Sequence, residues 1–579
     1  MLLRGQNSSA RYLLRRSQSL SRQSSHALTR LYHVTAAERA GQKECDIVIV
    51  GGGPAGLAFA SALTANKALH GSVEVTLVEG GDLSKVHDWD MPPHAFSNRV
   101  VSLTNASLDF LDQIDAWQYV DAARTCPVED MQVWDGISGS RIDFNAVSLG
   151  VGRGPGSTQM ARLTETLNLQ RGLLRHLSQQ PNVTLLDNTK VENIFNDDIP
   201  GGGWPMVQLS TGGVLRARLL VGADGINSPV RTYSKIDTYG WDYPTRAIVA
   251  TLLHPPRTFS PNTTAYQRFL PTGPIAFLPL SPTSSSLVWS TTPALATVLT
   301  KADPAILASM INAAFRLPEL SVRYLHTRLL EHPSLSPDDL RAEIAFREQA
   351  HAIAPYSAHA SANVNPDDVN VGIPDQGIDA VPPLVARIQP GTIASFPLRY
   401  RHAEAYIGTR TALIGDAAHI VHPLAGQGLN LGLGDAASLA RCVGNAVMHG
   451  SDIGSHTTLA PYARERYFEN HKMMSAVDKL HKLYASTAPP VVSARSIGLE
   501  VLNELEALKA GIVGAAGGES NPRSSPSSLW GTVTSGVETL VDGARFAKVV
   551  GSGLKSIAGG VLQQVARAAG TGPGEDRRG

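Results

Sequence analysis

"DIVIVGGGPAGLAFASAL", Asp46 to Leu63, joins a β-branched run to an Ala-rich apolar run through a cluster of glycines. The run ending at Val50 has the pattern of a buried parallel strand. The residues after it predict a tight turn into a helix. In that geometry Gly51 permits the turn, Gly53 lets the backbone approach a pyrophosphate, and Gly56 lets helix and strand pack closely. The amides at the helix start face the phosphates, where the helix dipole favours negative charge. A second strand, "VEVTLVEG", ends in Glu79, placed to accept hydrogen bonds from a ribose diol. Strand, glycines, helix, strand and acid occur in order, which separates the unit from a plain strand–helix corner. It reads as an adenine dinucleotide site, and NAD and FAD share that site.

Two further stretches discriminate. In "ARLLVGADGINSPVR", Ala217 to Arg231, a strand leads into Gly222-Ala223-Asp224-Gly225, then Ser228 and Arg231. In "ALIGDAAHIVHPLAGQGLNLGLGDAASLA", Ala412 to Ala440, a strand delivers Asp416, and a loop with Pro423, Gly426 and Gly428 opens a helix near Leu429. Asp416 is a short acceptor at a strand end, suited to a polyol hydroxyl such as those of a ribityl chain. The Gly426-Gln427-Gly428 backbone at a helix start can aim N–H groups at a group that becomes negative, such as the edge of a reduced flavin ring.

In this order and spacing the three motifs resemble the aromatic-hydroxylase class of single-component flavin monooxygenases. Within it the chain is most similar to the ubiquinone-biosynthesis hydroxylases, in particular those acting at ring carbon 5. The resemblance runs from about residue 44 to 510 and includes "SNRVVSLTNASLDFLDQIDAW", "VEDMQVWDG", "AYQRFLPTGPIAFLPL", "SLVWST", "ASFPLRYRHAEAY" and "LAPYARERYFEN". It implies FAD as cofactor, with Gly51, Gly53 and Gly56 at the pyrophosphate and Glu79 at the adenosine ribose. It puts Arg99 near flavin and pyrophosphate, Asp224 in the central segment, Asp416 at the ribityl chain, and Gly426, Gln427, Gly428 and Asn430 at the ring edge. One departure is Glu165-Thr166, where the family pattern has Glu-Asn. Thr166 loses the amide, so a flavin contact there is in question.

The implied chemistry belongs to the cofactor. Reduced flavin captures dioxygen at carbon 4a, and the hydroperoxide attacks the electron-rich ring of a polyprenylated phenol. The resemblance further implies electrons from ferredoxin and ferredoxin reductase, membership of the ubiquinone-biosynthesis complex, and a peripheral place on the matrix face of the mitochondrial inner membrane. A related hydroxylase of another ring position, or of a small soluble aromatic using NAD(P)H, shares the same motifs. A non-catalytic scaffold of the complex is the reading of another class, against which the intact Gly51, Gly53, Gly56, Glu79 and Asp416 argue. The sequence picks no catalytic base. His419 and His422, in "HIVHP", lack further ligands at metal spacing and read as loop histidines bonded to backbone. Phe269, Phe277 and Trp289 read as core at least as readily as substrate contacts.

The expected fold is α/β: a Rossmann-like FAD-binding domain in three segments (about 44–120, 161–235 and 402–455) with an inserted, mostly antiparallel sheet domain (121–160 and 236–401). Residues 456–512 read as closing helices, and 351–383 as a long exposed loop rich in Pro, Ala and Asp. In the tail, 513–579, apolar positions from Val533 to Val565 approximate a helical face, which seven glycines within 531–560 weaken. At the other end, residues 1–37 hold six arginines, seven serines and no acid, the pattern of a mitochondrial transit peptide. Without that leader the chain has 44 basic against 50 acidic residues, a poor balance for binding nucleic acid. The three cysteines, Cys45, Cys126 and Cys442, are too scattered for a disulfide framework or a zinc site. No apolar run is long enough to span a bilayer.

Overall fold

The computed structural model describes residues 42–69, 72–153, 158–197, 203–257, 260–355, 357, 359–362 and 380–517. The predicted leader, nearly all of the predicted tail, and 363–379 of the predicted loop lie outside them.

The strand of the opening motif, Gln42–Val50, is apolar and buried at Ile47, Val48, Ile49 and Val50. It pairs in parallel with Val214–Gly222 on one side and Val75–Val78 on the other. The eight-stranded sheet extends to Val183–Leu186 at one edge and through Thr411–Leu413 to Ile407–Gly408 at the other. Register fixes what matters here: Val50 is opposite Gly222, and Gly222 is opposite Leu413. The three motifs therefore leave the sheet side by side at one carboxyl edge, the place where open parallel sheets bind ligands. Helices Pro54–Ala65 and Gly428–Met448 pack on each other over this sheet.

A nine-stranded, mostly antiparallel sheet forms the second layer, ordered 419–420, 394–403, 238–253, 284–291, 273–281, 264–270, 130–135 and 141–145, with 387–388 beside 238–253. Only the 264–270 and 130–135 pair is parallel. A three-stranded sheet of 100–104, 161–165 and 125–128 completes the fold. The expected α/β architecture with an inserted antiparallel sheet is what forms. Four helices, Pro293–Lys301, Pro304–Arg316, Glu319–Glu331 and Pro337–Ala350, are additions to that expectation. Their apolar faces cover one side of the large sheet in a core that holds Trp289, Phe277 and Phe315. Of the described ends of the predicted exposed loop, His351, Ala352, Ala354, Pro355 and His359 are exposed, while the residues flanking the undescribed part are packed against the protein. Ala360, Ser361 and Val381 are buried, and the Glu348 carboxylate accepts from the Ser361 amide and hydroxyl.

The C-terminal helices are His456–Ala485, Pro489–Asn503 and Glu506–Gly517. No helix among the described residues is long and apolar enough to cross a membrane. The second of these helices is anchored by Arg495, whose guanidinium grips Asp135 at 2.8 and 3.0 Å and reaches the carbonyls of Leu483 and Ser486. Both side chains are fully buried, and losing one partner of such a pair strands the other. Arg495→Leu is expected to lower stability by about 3–5 kcal/mol, read as a fall in the urea midpoint of the purified protein.

Candidate functional site

The opening turn is built by steric necessity. Gly51 has φ +110°, and a Cβ there would sit 2.2 Å from the Ala223 carbonyl oxygen. A Cβ on Gly56 would sit 2.1 Å from the Gly51 carbonyl oxygen. Gly53 differs: nothing lies within 4 Å of its notional Cβ, so this face of the turn opens outward. No side chain caps the helix that follows, leaving its first amides free for an anion. Glu79 lies at the end of the neighbouring strand. Its two oxygens accept from the amides of Gly52, at 2.6 Å, and Gly81, at 2.7 Å, so it braces the turn.

Asp224 follows the central strand. One carboxylate oxygen accepts from the Val230 amide at 3.1 Å, while the other is buried without a partner. Burial raises its pKa, and the Ser228 and Val230 donors only partly offset this. Arg231 ties this segment to the next motif by donating to the carbonyls of Ala417, at 2.7 Å, and Ile226. Asp416 opens on a cavity of about 250 Å³ lined also by Asn227, Arg231, Arg399, Arg401 and His419. Solvent reaches its carboxylate, yet enough protein surrounds it that burial raises its pKa against a smaller opposing effect of His419.

The late loop turns through Gly426 in the left-handed region, φ +63°, and the long helix begins at Gly428 with Gln427 as its cap residue. Asn430 is held fully by protein. Its oxygen accepts from Thr104 N–H and Ser107 Oγ, and its amide donates to the carbonyls of Ser102 and Gly426. It fastens the helix start to strand Val100–Thr104. Arg99, just before that strand, is exposed, and its guanidinium makes no hydrogen bond or ion pair among the described residues. Glu165 is buried against Arg124 at 2.6 Å and directly precedes helix Thr166–Leu177, with no side-chain bond to the helix amides. Thr166 donates its amide to the Arg99 carbonyl.

Sequence reasoning missed the group that organises this loop. Asp435, on the buried face of the long helix, accepts from Gly415 N–H at 3.0 Å, His419 Nε2 at 2.6 Å, Arg466 Nε at 2.9 Å and Asn470 Nδ2 at 2.9 Å. Burial alone would raise its carboxyl; His419 first, then Arg466 and Asn470, outweigh that and hold it well below the usual range. The available signal was an acid on an apolar helix face in "GLNLGLGDAASLA". The expectation that His419 bonds to backbone is thus corrected, because its ring bonds to the Asp435 side chain. His422 does bond to backbone, accepting from Leu424 N–H at 3.1 Å. The described residues hold no cluster that could bind a metal. Trp289, Phe277 and Phe269 are buried core residues.

These residues fit FAD. An open glycine face beside free helix amides suits a pyrophosphate, and an orphaned Asp224 oxygen and a cavity-facing Asp416 carboxylate suit hydroxyl donors. A depressed carboxyl pKa means that Asp435 stabilises the fold fully above about pH 4 and loses this as pH falls below it. Asp435→Asn is expected to flatten the acid limb of the Tm profile. It should also lower the flavin-to-protein absorbance ratio by at least about tenfold at micromolar protein, since about 3 kcal/mol of loop order is lost.

The FAD binding domain family matches residues 44–342 and 376–476. The ubiquinone biosynthesis monooxygenase COQ6, mitochondrial, of Schizosaccharomyces pombe is 36% identical, over 82% of this chain and 92% of that protein. Its namesake from Saccharomyces cerevisiae is 37% identical, over 84% and 96%. Among solved structures, Pseudomonas aeruginosa PqsL with 2-aminobenzoylacetate superposes with a TM-score of 0.54 at 21% identity, over 79% of this chain and 99% of that one. The p-nitrophenol 4-monooxygenase PnpA of Pseudomonas putida gives 0.53 at 18%, over 81% and 97%. At those identities the likeness shows a shared fold. With the carboxyl-edge geometry and matches that run nearly the full length of its relatives, the chain belongs to the family of FAD-dependent ubiquinone-biosynthesis monooxygenases.

Proposed function

We propose that this monooxygenase hydroxylates the ring of a polyprenylated phenol at carbon 5 during ubiquinone synthesis. The observation that carries the reading is the near full-length match to proteins named for that pathway, in a chain whose dinucleotide turn is sterically intact. Bound FAD, once reduced, supplies the oxygen activation. The chain's own residues do the rest. The Gly51–Gly56 turn and its helix hold the pyrophosphate, Glu79, while bracing the turn, takes the adenosine ribose with its remaining lone pairs, and Asp416 takes a ribityl hydroxyl. Arg99, free and exposed, is available to the phosphates. The helix start at Gly426–Gly428 presents its positive dipole end to the ring edge that gains charge on reduction. The large sheet, whose strand 394–403 pairs with 419–420 just before this loop, would supply the wall that excludes water from the reacting ring.

Ferredoxin and ferredoxin reductase as electron source, dioxygen as co-substrate and membership of the ubiquinone-biosynthesis complex follow from the family resemblance. So does a peripheral place on the matrix face of the mitochondrial inner membrane. The Arg-rich, acid-free start of the chain supports the mitochondrial address.

Cells whose only copy carries Asp416→Ala are expected to accumulate a prenylated intermediate lacking the carbon 5 hydroxyl, at unchanged protein abundance. Mass spectrometry of quinone intermediates alongside an immunoblot reads both. Normal ubiquinone at normal abundance would refute the reading, and an intermediate lacking a different hydroxyl would move the reaction to another ring carbon.

A further inference from the structure

A buried cluster beside the Pro423–Gly428 loop is left unused by the cofactor reading. His422 comes from the loop, Tyr243 from strand Thr238–Leu253, and His481 from helix His456–Ala485. Ring centroids lie 4.7 Å apart for His422 and His481, 5.0 Å for Tyr243 and His422, and 4.9 Å for Tyr243 and His481. His422 is 1% exposed and His481 9%. Because His422 Nδ1 accepts from Leu424 N–H, the neutral ring carries its proton on Nε2. Burial, with a smaller repulsion from His481, pushes the His422 pKa down to about 3, so the ring is neutral at physiological pH.

Two ring nitrogens in this cluster are buried with no partner: His422 Nε2 and His481 Nδ1. The neighbouring polar groups are already engaged. Tyr243 Oη donates to Asp478 at 2.8 Å, and Lys482 Nζ meets the other Asp478 oxygen at 2.7 Å. An unpaired buried polar atom costs about 1–3 kcal/mol. Here a donor and an available acceptor stand on adjacent rings, one residue before the loop assigned to the flavin edge. One hydroxyl group, which both accepts and donates, would satisfy both.

We propose that His422 and His481 receive the ring hydroxyl of the substrate, His422 Nε2–H donating to its oxygen and His481 Nδ1 taking its proton. This rests on the phenolic-substrate reading above. The phenol O–H bond breaks, an Nδ1–H bond forms, and the phenolate keeps its hydrogen bond from His422. A phenolate is a more electron-rich ring than a phenol, so the transfer favours attack by an electrophilic oxygen. The Asp478 carboxylate stabilises the imidazolium, with Lys482 opposing it, and the imidazolium returns the same proton to the oxygen when the hydroxylated ring leaves. Burial lowers the His481 pKa and Asp478 opposes that, so the ring is neutral before substrate binds; the transfer then depends on the hydrogen bond from His422 to the phenolate and on Asp478 beside the imidazolium.

The test uses purified full-length protein loaded with FAD and a 2-prenyl-4-nitrophenol, whose phenolate and neutral forms differ in absorbance. His481→Gln keeps a polar atom near the Nε2 position and removes Nδ1. His422→Asn keeps an acceptor for Leu424 N–H and removes Nε2, whereas His422→Gln places an amide N–H near it. Flavin content and Tm are read for each. The wild type is expected to bind the probe more ionised than in solution at the same pH. In His481→Gln the probe should bind within about threefold but with its solution ionisation, and raising the pH should restore the phenolate. In His422→Asn the Kd should rise about tenfold, and His422→Gln should recover most of that. If His422→Asn loses flavin, the His481→Gln ionisation curve alone decides. Wild-type binding and ionisation in His481→Gln would overturn the proposal and leave the substrate reading standing. A wild type that fails to bind the prenylated phenol would overturn both.

Discussion

One buried carboxylate holds the cofactor side of this protein together. Asp435, on its own long helix, takes four donors from two other segments: the loop carrying Gly415 and His419, and the helix carrying Arg466 and Asn470. Taking a carboxylate out of water costs several kcal/mol, and only a full set of donors offsets that cost. The geometry meets this condition, since both oxygens are doubly engaged. What the pair adds is position more than net stability. Gly415, with φ +59°, is held by its own amide on Asp435 Oδ2, and Asp416 follows directly. The candidate ribityl acceptor therefore points where a helix twenty residues onward directs it.

Sheet register carries the same constraint across the rest of the site. Val50, Gly222 and Leu413 end their strands level with one another, so three sequence motifs separated by more than a hundred residues meet at one edge. Two contacts lock them there. Gly51 leaves no room for a side chain against the Ala223 carbonyl, and Arg231 bridges the central segment to the Ala417 carbonyl. Asn430 then fastens the far end of the late loop to the Val100–Thr104 strand. Of the motif residues named from sequence, Glu79 and Asn430 are thus braces for the backbone that surrounds the ligand space. Gly53, Asp224, Asp416 and Arg99 are the ones left with open space or an unmet polar atom.

This division explains what the sequence could and could not reveal. The parallel strand, glycine turn and helix are local: period, β-branching and glycine spacing within eighteen residues specify them. The stretch "AYQRFLPTGPIAFLPL" forms an antiparallel hairpin of the inserted sheet, but its first strand is buried on both faces, so the resemblance rather than an alternating pattern carries that expectation. The four helices between residues 293 and 350 fall outside the expectation because the resemblance assigns that stretch to the sheet domain. Their signals were present: Thr292, Asp303 and Ser336 each precede a proline and cap a helix. The Asp435–Arg466 pair and the His422–Tyr243–His481 cluster are different in kind. Their members lie on separate elements, and no spacing rule joins residues 243, 422 and 481.

The two polar clusters flanking the late loop differ in a way that separates architecture from function. Around Asp435 the hydrogen bonds close. Arg466 also reaches Asn470, Asn470 donates to Tyr406, and Tyr406 meets His402 at 3.0 Å. Its one loose end, His419 Nδ1, belongs to a residue lining the Asp416 cavity. Around His422 the network stops short, with a ring nitrogen unmet on each histidine. A folded protein pairs nearly all its buried polar groups, since each omission costs stability. Single unmet atoms occur elsewhere, at Ser61 and Trp289 among others; here two stand on adjacent rings beside the loop, the arrangement that the proposed phenol hydroxyl would complete. The closed network fixes the loop, and the open one leaves two nitrogens for whatever the loop is held in place to meet.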